Sequence, residues 1–135
     1  MSIKDNLEIA QLFLAKLGEG VPHEQIVQLF SADLDWNIPG ETGVLPWIGH
    51  KTGSSAIVDF LRDASEMIER VRFEVHDVLA SEERAIIFGE LASRIKKTGK
   101  TIEQAYAIVL TIGDGKITRF LMLEDSFATA EAAHL

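Results

Sequence analysis

The chain contains no cysteine, and this absence excludes several kinds of site. There is no disulfide framework, no thiolate nucleophile and no cysteine-ligated zinc. Long apolar runs are also missing, since no segment reaches the roughly 18 consecutive apolar residues typical of a transmembrane helix. The first residues lack the basic and apolar regions of a signal peptide. We therefore expect a cytoplasmic protein without a membrane partner.

Positive charge is scarce, because 13 lysines and arginines stand against 21 acidic residues, giving a net charge of −8 at pH 7. Such a surface repels phosphate, so we expect no nucleic-acid partner. Nucleophile-elbow, P-loop and dinucleotide-binding motifs are absent as well, which excludes the common covalent and nucleotide chemistries and predicts no cofactor. The four histidines are scattered without a metal-binding spacing, so no metal site is expected.

The length of 135 residues, 47% of them apolar, predicts one domain spanning residues 1–135. In its first half, apolar residues recur every three or four positions, as on one side of a helix. This pattern predicts a helix that Ser2 caps and Gly18 or Gly20 ends, a shorter helix with Pro22 at its first position, and a third from Ser54 to Ile68. A short strand over 33–39 lies between the last two.

The second half has the period of strands. Four strand-like runs separated by short turns predict an antiparallel meander; they cover Val71–Ala80, Arg84–Lys96, Thr101–Ile112 and Lys116–Phe127. Asp125 can instead cap a C-terminal helix over 127–133. Helices followed by strands predict an α+β fold in which helices pack on one face of a curved sheet.

Both faces of the predicted sheet carry apolar side chains. Residues 85–91 are largely apolar in both alternating sets, and in the last strand Leu121 and Leu123 oppose Phe120 and Met122. A sheet with one wet face alternates more cleanly than this. We therefore expect helices and a pocket on one face and a second copy of the chain on the other, which makes a homodimer.

A loop over 44–53 contains a Pro-Trp pair, His50 and two glycines. Gly49 and Gly53 permit sharp turns, so we expect the loop to close the mouth of an apolar pocket. Trp47 is then expected to be buried against the third helix or the pocket rim.

The order of these elements, with a "P-W-x-G-x-x-x-G" loop and "T-G-K" and "D-G-K-I" turns, resembles the nuclear transport factor 2 (NTF2)-like superfamily. Within it the chain is most similar to the SnoaL-like branch, which includes polyketide cyclases and ketosteroid isomerases. The resemblance implies a cone-shaped, cystatin-like fold. In such a fold, three helices from the N-terminal half are expected to pack on a strongly curved, mostly antiparallel sheet that encloses a pocket, and members of the superfamily are usually dimeric.

The resemblance also suggests candidate residues. The epoxide-hydrolase branch has a catalytic aspartate in the last strand where this chain has Met122, while Glu124 lies two residues further on the same face. The first strand is similar to that branch in residues 35–39, which nominates Asp35 and Asn37. His50 is the histidine that the resemblance places near the pocket mouth.

Strand alternation supplies the other candidates. Glu90 shares a face with Arg94, and Gln104 shares one with Tyr106, whose hydroxyl can donate to a bound carbonyl. Trp36 and Trp47 are candidate pocket walls. Each side chain also has a structural interpretation: Glu90 can pair with Arg94, Glu124 can mark the solvent edge of its strand, and Tyr106 is favoured in strands anyway.

Two functions follow from these residues. The first is a cofactor-independent isomerase, lyase or hydrolase that acts on a lipophilic ring or carbonyl compound, with Glu90, Glu124 or His50 moving a proton and Tyr106 or Asn37 stabilising an oxyanion. The ketosteroid isomerases show such an arrangement in a family that the chain resembles. The alternative is a dimeric binding module without turnover, which Met122 favours because it replaces a catalytic acid.

Overall fold

The computed structural model describes residues 2–134 and contains four helices and six strands in that range. The helices are Ile3–Glu19 (α1), His23–Val27 (α2), Ser55–Met67 (α3) and Ser126–Ala133 (α4). The strands are Phe30–Ile38 (β1), Gly49–Thr52 (β2), Ile68–Ala80 (β3), Arg84–Ile95 (β4), Thr101–Gly113 (β5) and Lys116–Glu124 (β6). None of the helices in the described range has the length and apolar character needed to cross a membrane.

Side-chain caps begin α1 and α4 where the sequence predicts them. The Ser2 hydroxyl accepts a hydrogen bond from the Asp5 backbone N–H at 3.0 Å, and the Asp5 carboxylate accepts one in return from the Ser2 N–H. Gly20 then ends α1 in the left-handed region, at φ 66°. The Asp125 carboxylate accepts from the Ala128 N–H at 3.0 Å and begins α4. Strand β6 therefore ends at Glu124 and not at residue 127.

The strands form one curved, unclosed sheet in the order β2-β1-β6-β5-β4-β3. Strands β3 to β6 form the predicted antiparallel meander, and β1 pairs with β6 in parallel. The sequence prediction missed β2, because its four residues are too few to show alternation. This strand exists through its pairing with β1, where Asn37 lies opposite His50. The predicted α+β fold with helices on a curved sheet is confirmed.

Alternation along β4 and β5 defines an inner face, where side chains are buried, and an outer face, where most are exposed. The inner face packs against α1 and α3 through an aromatic cluster, and α2 packs on those two helices. Phe13 of α1 contacts Phe30 and Phe120 edge to face, with ring centroids 5.7 and 6.4 Å apart. Trp36 stacks on Phe120 at 4.5 Å. The core of the protein thus lies on the inner face.

Gly89 of β4 is required by a close approach between neighbouring strands. The Tyr106 hydroxyl from β5 donates a hydrogen bond to the backbone oxygen of Glu74 in β3, at 2.9 Å, and so passes across β4. A Cβ atom on residue 89 would lie 1.9 Å from that oxygen and 2.8 Å from the tyrosine hydroxyl. Only glycine leaves room for this contact, which joins the three strands next to a bulge in β3 at His76.

We expect Gly89→Ala to lower the free energy of unfolding by at least about 2 kcal/mol, because the new methyl group collides with backbone that cannot move without breaking the β3–β4 pairing. Urea denaturation measures this change. The matched control is Gly113→Ala, whose Cβ would meet only the Thr118 methyl group at an ordinary 3.5 Å. Equal stability losses in the two variants would contradict this account.

Candidate functional site

A cavity of about 380 Å³ lies between the helices and the inner face of the sheet. Most of its wall is apolar, with Phe13 from α1, Phe60 and Leu61 from α3, and Ile108 and Phe120 from the sheet. Its volume is near the lower end of the range for small-molecule sites, roughly 300–1,000 Å³. The polar side chains that line it are His23, Ser65, Arg70, Ser93, Gln104, Glu124 and Thr129.

A second depression of similar volume lies between α1 and β3 and shares Leu17, Arg70 and Phe73 with the cavity. Its described lining contains no carboxylate and no histidine. The cavity, which holds Glu124 and His23, is therefore the better candidate for proton chemistry.

The loop that precedes β2 forms part of the cavity wall. Trp47 is 7% exposed, lines the cavity, and packs edge to face on Phe60 of α3 at 5.6 Å. Its backbone oxygen accepts a hydrogen bond of 3.0 Å from the indole N–H of Trp36. Gly49 and Gly53, at φ 119° and 101°, supply the left-handed turns on either side of β2. The predicted burial of Trp47 against the third helix is confirmed.

Trp36 lies behind this wall and does not line the cavity. It is fully buried between Phe120 and Phe60, with ring centroids at 4.5 and 5.4 Å. Both neighbours line the cavity, so Trp36 fixes the shape of the wall from the second layer.

Glu124 is the carboxylate that lines the cavity. It ends β6, and the side-chain N–H group of Gln104 on the neighbouring strand β5 donates to its Oε2 atom at 2.7 Å. The same Gln104 nitrogen lies 3.3 Å from the hydroxyl of Thr129 in α4. Helix α4 thus covers this pair, and the glutamine fixes the orientation of the carboxylate.

Burial raises the pKa of Glu124 to about 7. The hydrogen bond from Gln104 opposes this shift because it favours the charged form, while the nearby Asp125 charge adds to it. A carboxyl group with a pKa near 7 is present in both protonation states at neutral pH, so it can take up a proton and release it again.

Four of the residues nominated from the sequence meet at the cavity: Trp47, Gln104, Met122 and Glu124. Met122 and Glu124 follow Phe120 on the inner face of β6, as alternation predicts. The methionine adds a flexible apolar side chain beside the carboxylate.

His50 and Asp35 lie away from the cavity. The imidazole Nε2 of His50 is 2.6 Å from the Asp35 carboxylate, and Arg119 lies 3.6 Å from the same carboxylate. These side chains are about half exposed, and Asn37 pairs with His50 on the same two strands. Because Trp36 points inward, alternation turns its neighbours Asp35 and Asn37 to the outer face.

Glu90 also lies on the outer face and not in the cavity. It is directly opposite Glu74 across β3 and β4, and the His76 imidazole lies 3.5 Å from Glu74 and 3.6 Å from Glu90. From the sequence, His76 has no partner for a cluster, but in the structure it lies with Glu74 and Glu90 beside a bulge in β3. One ligand atom from each of the three side chains lies within 4.8 Å of the other two. All three side chains are close to half exposed.

Tyr106 is buried, and its hydroxyl already donates to Glu74. Burial raises the pKa of Tyr106 to about 12, and the positive charge of Arg70 opposes this shift. The ring of Phe73 stacks on the tyrosine ring at 4.9 Å. The structure therefore gives this hydroxyl a partner within the sheet.

Sequence reasoning missed five of the seven polar side chains at the cavity: His23, Ser65, Arg70, Ser93 and Thr129. Arg70 precedes a bulge in β3 at residue 71, so simple alternation does not predict its direction. Thr129 was part of a predicted helix with no predicted position. The sequence contains no signal for Ser93, because its position at the cavity follows from its pairing with Ile102, which only the register of the strands reveals.

Comparison with known proteins places these features in a family. A family model for the SnoaL-like domain matches residues 10–120. The chain is similar to an NTF2-like protein of Burkholderia xenovorans LB400, with 30% identity, coverage of 99% of each chain and a TM-score of 0.88. No curated protein matches the chain.

Two further solved structures share the fold. One is a protein with a cystatin-like fold from Xanthomonas campestris, which is 25% identical over 98% of this chain and 97% of the other, with a TM-score of 0.77. The other is TerC, co-crystallized with polyporic acid, which is 22% identical over 96% of this chain and 98% of the other, also with a TM-score of 0.77.

The raised pKa of Glu124 has a consequence for stability. Between pH 4.5 and about 7 the folded chain holds this proton more tightly than the unfolded chain, so the contribution of Glu124 to the free energy of unfolding falls as the pH rises through this window. When the pH is raised from 5 to 8, we expect the free energy of unfolding of the Glu124→Gln variant to increase by up to about 3 kcal/mol relative to that of the parent protein.

Urea denaturation at both pH values measures this gain. Glu103→Gln, which changes an exposed glutamate on β5, is the control and should show no such gain. A stability difference between Glu124→Gln and the parent that stays constant with pH would show that the carboxyl group is not destabilised by burial.

Proposed function

The chain belongs to the family of SnoaL-like domains, and on that premise we propose that it binds a lipophilic ring or carbonyl compound in the cavity and exchanges a proton with it through Glu124. Glu124 carries this proposal, because its carboxyl group lies in a mostly apolar cavity with a pKa of about 7 and is held in place by Gln104. The corresponding activity is that of a cofactor-independent isomerase, lyase or hydrolase.

The chemistry follows from the environment of the carboxylate. An ionised Glu124, poorly solvated by the apolar wall, is a stronger base than a glutamate in water and can remove a proton from a carbon next to a carbonyl group. The resulting enolate takes the proton back at another carbon in an isomerisation, or expels a leaving group in a lyase reaction. Tyr106 is not the donor that stabilises this enolate, because its hydroxyl is bound to Glu74.

Met122 supports a second function, a binding module without turnover. It lines the cavity at the strand position where the resembling epoxide hydrolases have their catalytic aspartate. In such a module Glu124 would accept a hydrogen bond from the ligand and would transfer no proton.

Proton exchange on a simple ring ketone separates the two functions. We expect the parent protein to accelerate deuterium incorporation next to the carbonyl of β-tetralone in heavy water, followed by nuclear magnetic resonance. The rate should rise with pH and level off above about 7, because the carboxylate is the active form. Glu124→Gln should lower the rate roughly 10²–10⁴-fold while β-tetralone still binds.

Glu103→Gln again serves as the control, with an unchanged rate. Binding of β-tetralone without faster exchange would favour the binding module. Faster exchange that survives Glu124→Gln would reject Glu124 as the base, and an absence of binding would reject the cavity as a site for compounds of this class.

The partner proposed for the outer face is a second copy of the chain. Two adjacent rows of paired residues cross β4, β5 and β6 there and are apolar throughout: Phe88, Ala107 and Leu123 in one row, and Ile86, Val109 and Leu121 in the other. Phe88 and Leu123 are 45% and 47% exposed in the single chain. An apolar patch of this kind is typical of an interface.

Charge at the edges of this patch fits a twofold axis. On one side lie Arg84 and Arg119, and on the other lies Glu90 opposite Glu74. Two copies packed face to face and antiparallel would bring the basic edge of one against the acidic edge of the other.

We expect sedimentation at micromolar concentration to give twice the chain mass of 14.9 kDa, and Phe88→Glu to give a monomer, because a buried charge would face the apolar rows. Phe127→Glu, which changes a phenylalanine that is 72% exposed on α4, is the control and should stay dimeric. A monomeric parent would contradict the proposed dimer.

A further inference from the structure

Arg70 differs from every other arginine of the chain. Five of the six arginines have a carboxylate within 4.0 Å, at distances of 3.1 to 3.6 Å. In the described part of the chain, no carboxylate lies within that distance of Arg70. This is unexpected in a chain with a net charge of −8, where acidic side chains outnumber basic ones.

Arg70 lies at the cavity and has a defined position there. It lines the cavity from β3, opposite Ser93 of β4, and its guanidinium carbon is 5.1 Å from the centre of the Phe73 ring. Contact with the aromatic face orients the guanidinium and does not neutralise its charge. The cavity therefore has, at its solvent-exposed edge, a cation that is free to pair with an anionic group of a ligand.

A second polar atom without a partner belongs to Gln104, which lines the cavity from β5, two strands away from Arg70. The side-chain oxygen of Gln104 is buried and accepts no hydrogen bond within the described residues, while the nitrogen of the same amide is committed to Glu124 and Thr129. A buried acceptor without a donor costs free energy, roughly 1–3 kcal/mol. A ligand hydroxyl that reached this oxygen, after a small shift of the atoms that now cover it, would remove that cost.

Strand spacing gives the separation of these two groups. Arg70 is on β3 and Gln104 is on β5, and β4 lies between them. Two steps between neighbouring strands amount to about 10 Å, and Gln104 lies two residues along β5 from Ile102, the residue in the same row as Arg70 and Ser93, so the Cα atoms of Arg70 and Gln104 are roughly 12 Å apart. The wall between and above them is mostly apolar, with Leu91 opposite Gln104 in the sheet and Phe13 and Phe60 on the helices.

We propose that the cavity takes a lipophilic ring compound with a carboxylate at one end, paired with Arg70, and a hydroxyl group at the other end, donating to the side-chain oxygen of Gln104. This inference rests on the proposed function, because it names the class of ligand for the same cavity. It adds that the ligand is an acid, although Glu124 lines the same cavity.

The test uses a hydroxynaphthoic acid whose hydroxyl and carboxyl groups lie at opposite ends of the ring system. Its neutral primary amide and the naphthoic acid without the hydroxyl are the comparison compounds. Isothermal titration calorimetry at about pH 6 is suitable, because the ligand carboxylate is ionised there while much of Glu124 is protonated.

We expect the hydroxy acid to bind the parent about tenfold more tightly than its amide, and Arg70→Met to abolish this difference. Arg94→Met, which removes an arginine paired with Glu69 away from the cavity, is the control and should retain it. Removing the ligand hydroxyl should weaken binding to the parent severalfold.

The outcomes separate this inference from the proposed function. If the amide binds the parent as tightly as the acid, or if the preference for the acid survives Arg70→Met, the assignment of an acidic ligand is overturned while the cavity remains a site for lipophilic rings. Equal binding of the naphthoic acid would overturn the role of the hydroxyl group. If none of the three compounds binds, both the acidic ligand and the proposed function are overturned for compounds of this size.

Discussion

The indole ring of Trp36 connects the parts of this protein that form the cavity. It stacks on Phe120, which belongs to the neighbouring strand β6, and packs on Phe60 of α3. Its N–H group holds the backbone of the loop at Trp47. The buried Trp36 side chain thus contacts a strand, a helix and a loop. The shape of the cavity wall therefore depends on the packing of Trp36, although this residue does not itself line the cavity. The aromatic contacts of Phe13 extend this packing to α1.

The apolar wall makes it energetically unfavourable to bury the polar side chains of Glu124 and Gln104 in the cavity. Glu124 is buried among apolar groups, which raises its pKa, and its hydrogen bond to Gln104 compensates only part of that cost. The same amide leaves its own oxygen without a donor. Buried polar groups that are left incompletely satisfied lower stability, and they are tolerated mainly where a function requires them. Two such groups beside one another, in a cavity of ligand size, are the strongest physical indication that this cavity binds a molecule.

The two faces of the sheet differ in the groups that they present. The inner face carries the aromatic cluster and the cavity, whereas the outer face carries two apolar rows bordered by charged residues. Tyr106 of β5 connects three strands, since its hydroxyl crosses β4 at Gly89 and donates a hydrogen bond to the backbone of β3. The bulge beside this contact gathers Glu74, His76 and Glu90 on the outer side. The Tyr106 hydrogen bond and the acidic edge of the outer patch thus both lie beside one irregularity in β3.

The sequence by itself determined the types of the elements, because their signals are local. Ser2 and Asp125 cap helices with their own side chains, apolar spacing marks α1 and α3, and short turns join the strands of the meander. In the loop over 44–53, two glycines with positive φ allow the chain to turn, and the apolar composition of this loop predicted the burial of Trp47. The family resemblance was carried by the order of these same elements.

Tertiary structure decided which side chains meet. In β4 both alternating sets are apolar, so the sequence does not show which set faces inward, and Glu90 points outward because Ile87 and Leu91 fill the inner face. Bulges in β3 shift the alternation next to Arg70 and His76, and β2 exists only through its pairing with β1. Glu124 could be placed because the family resemblance put Met122, two residues before it on the same face, at the pocket, but its raised pKa depends on burial under α4 and on Gln104 of another strand. Local patterns specify secondary structure, whereas register, bulges and burial arise from contacts between residues far apart in the chain, and these fixed the chemistry of the site.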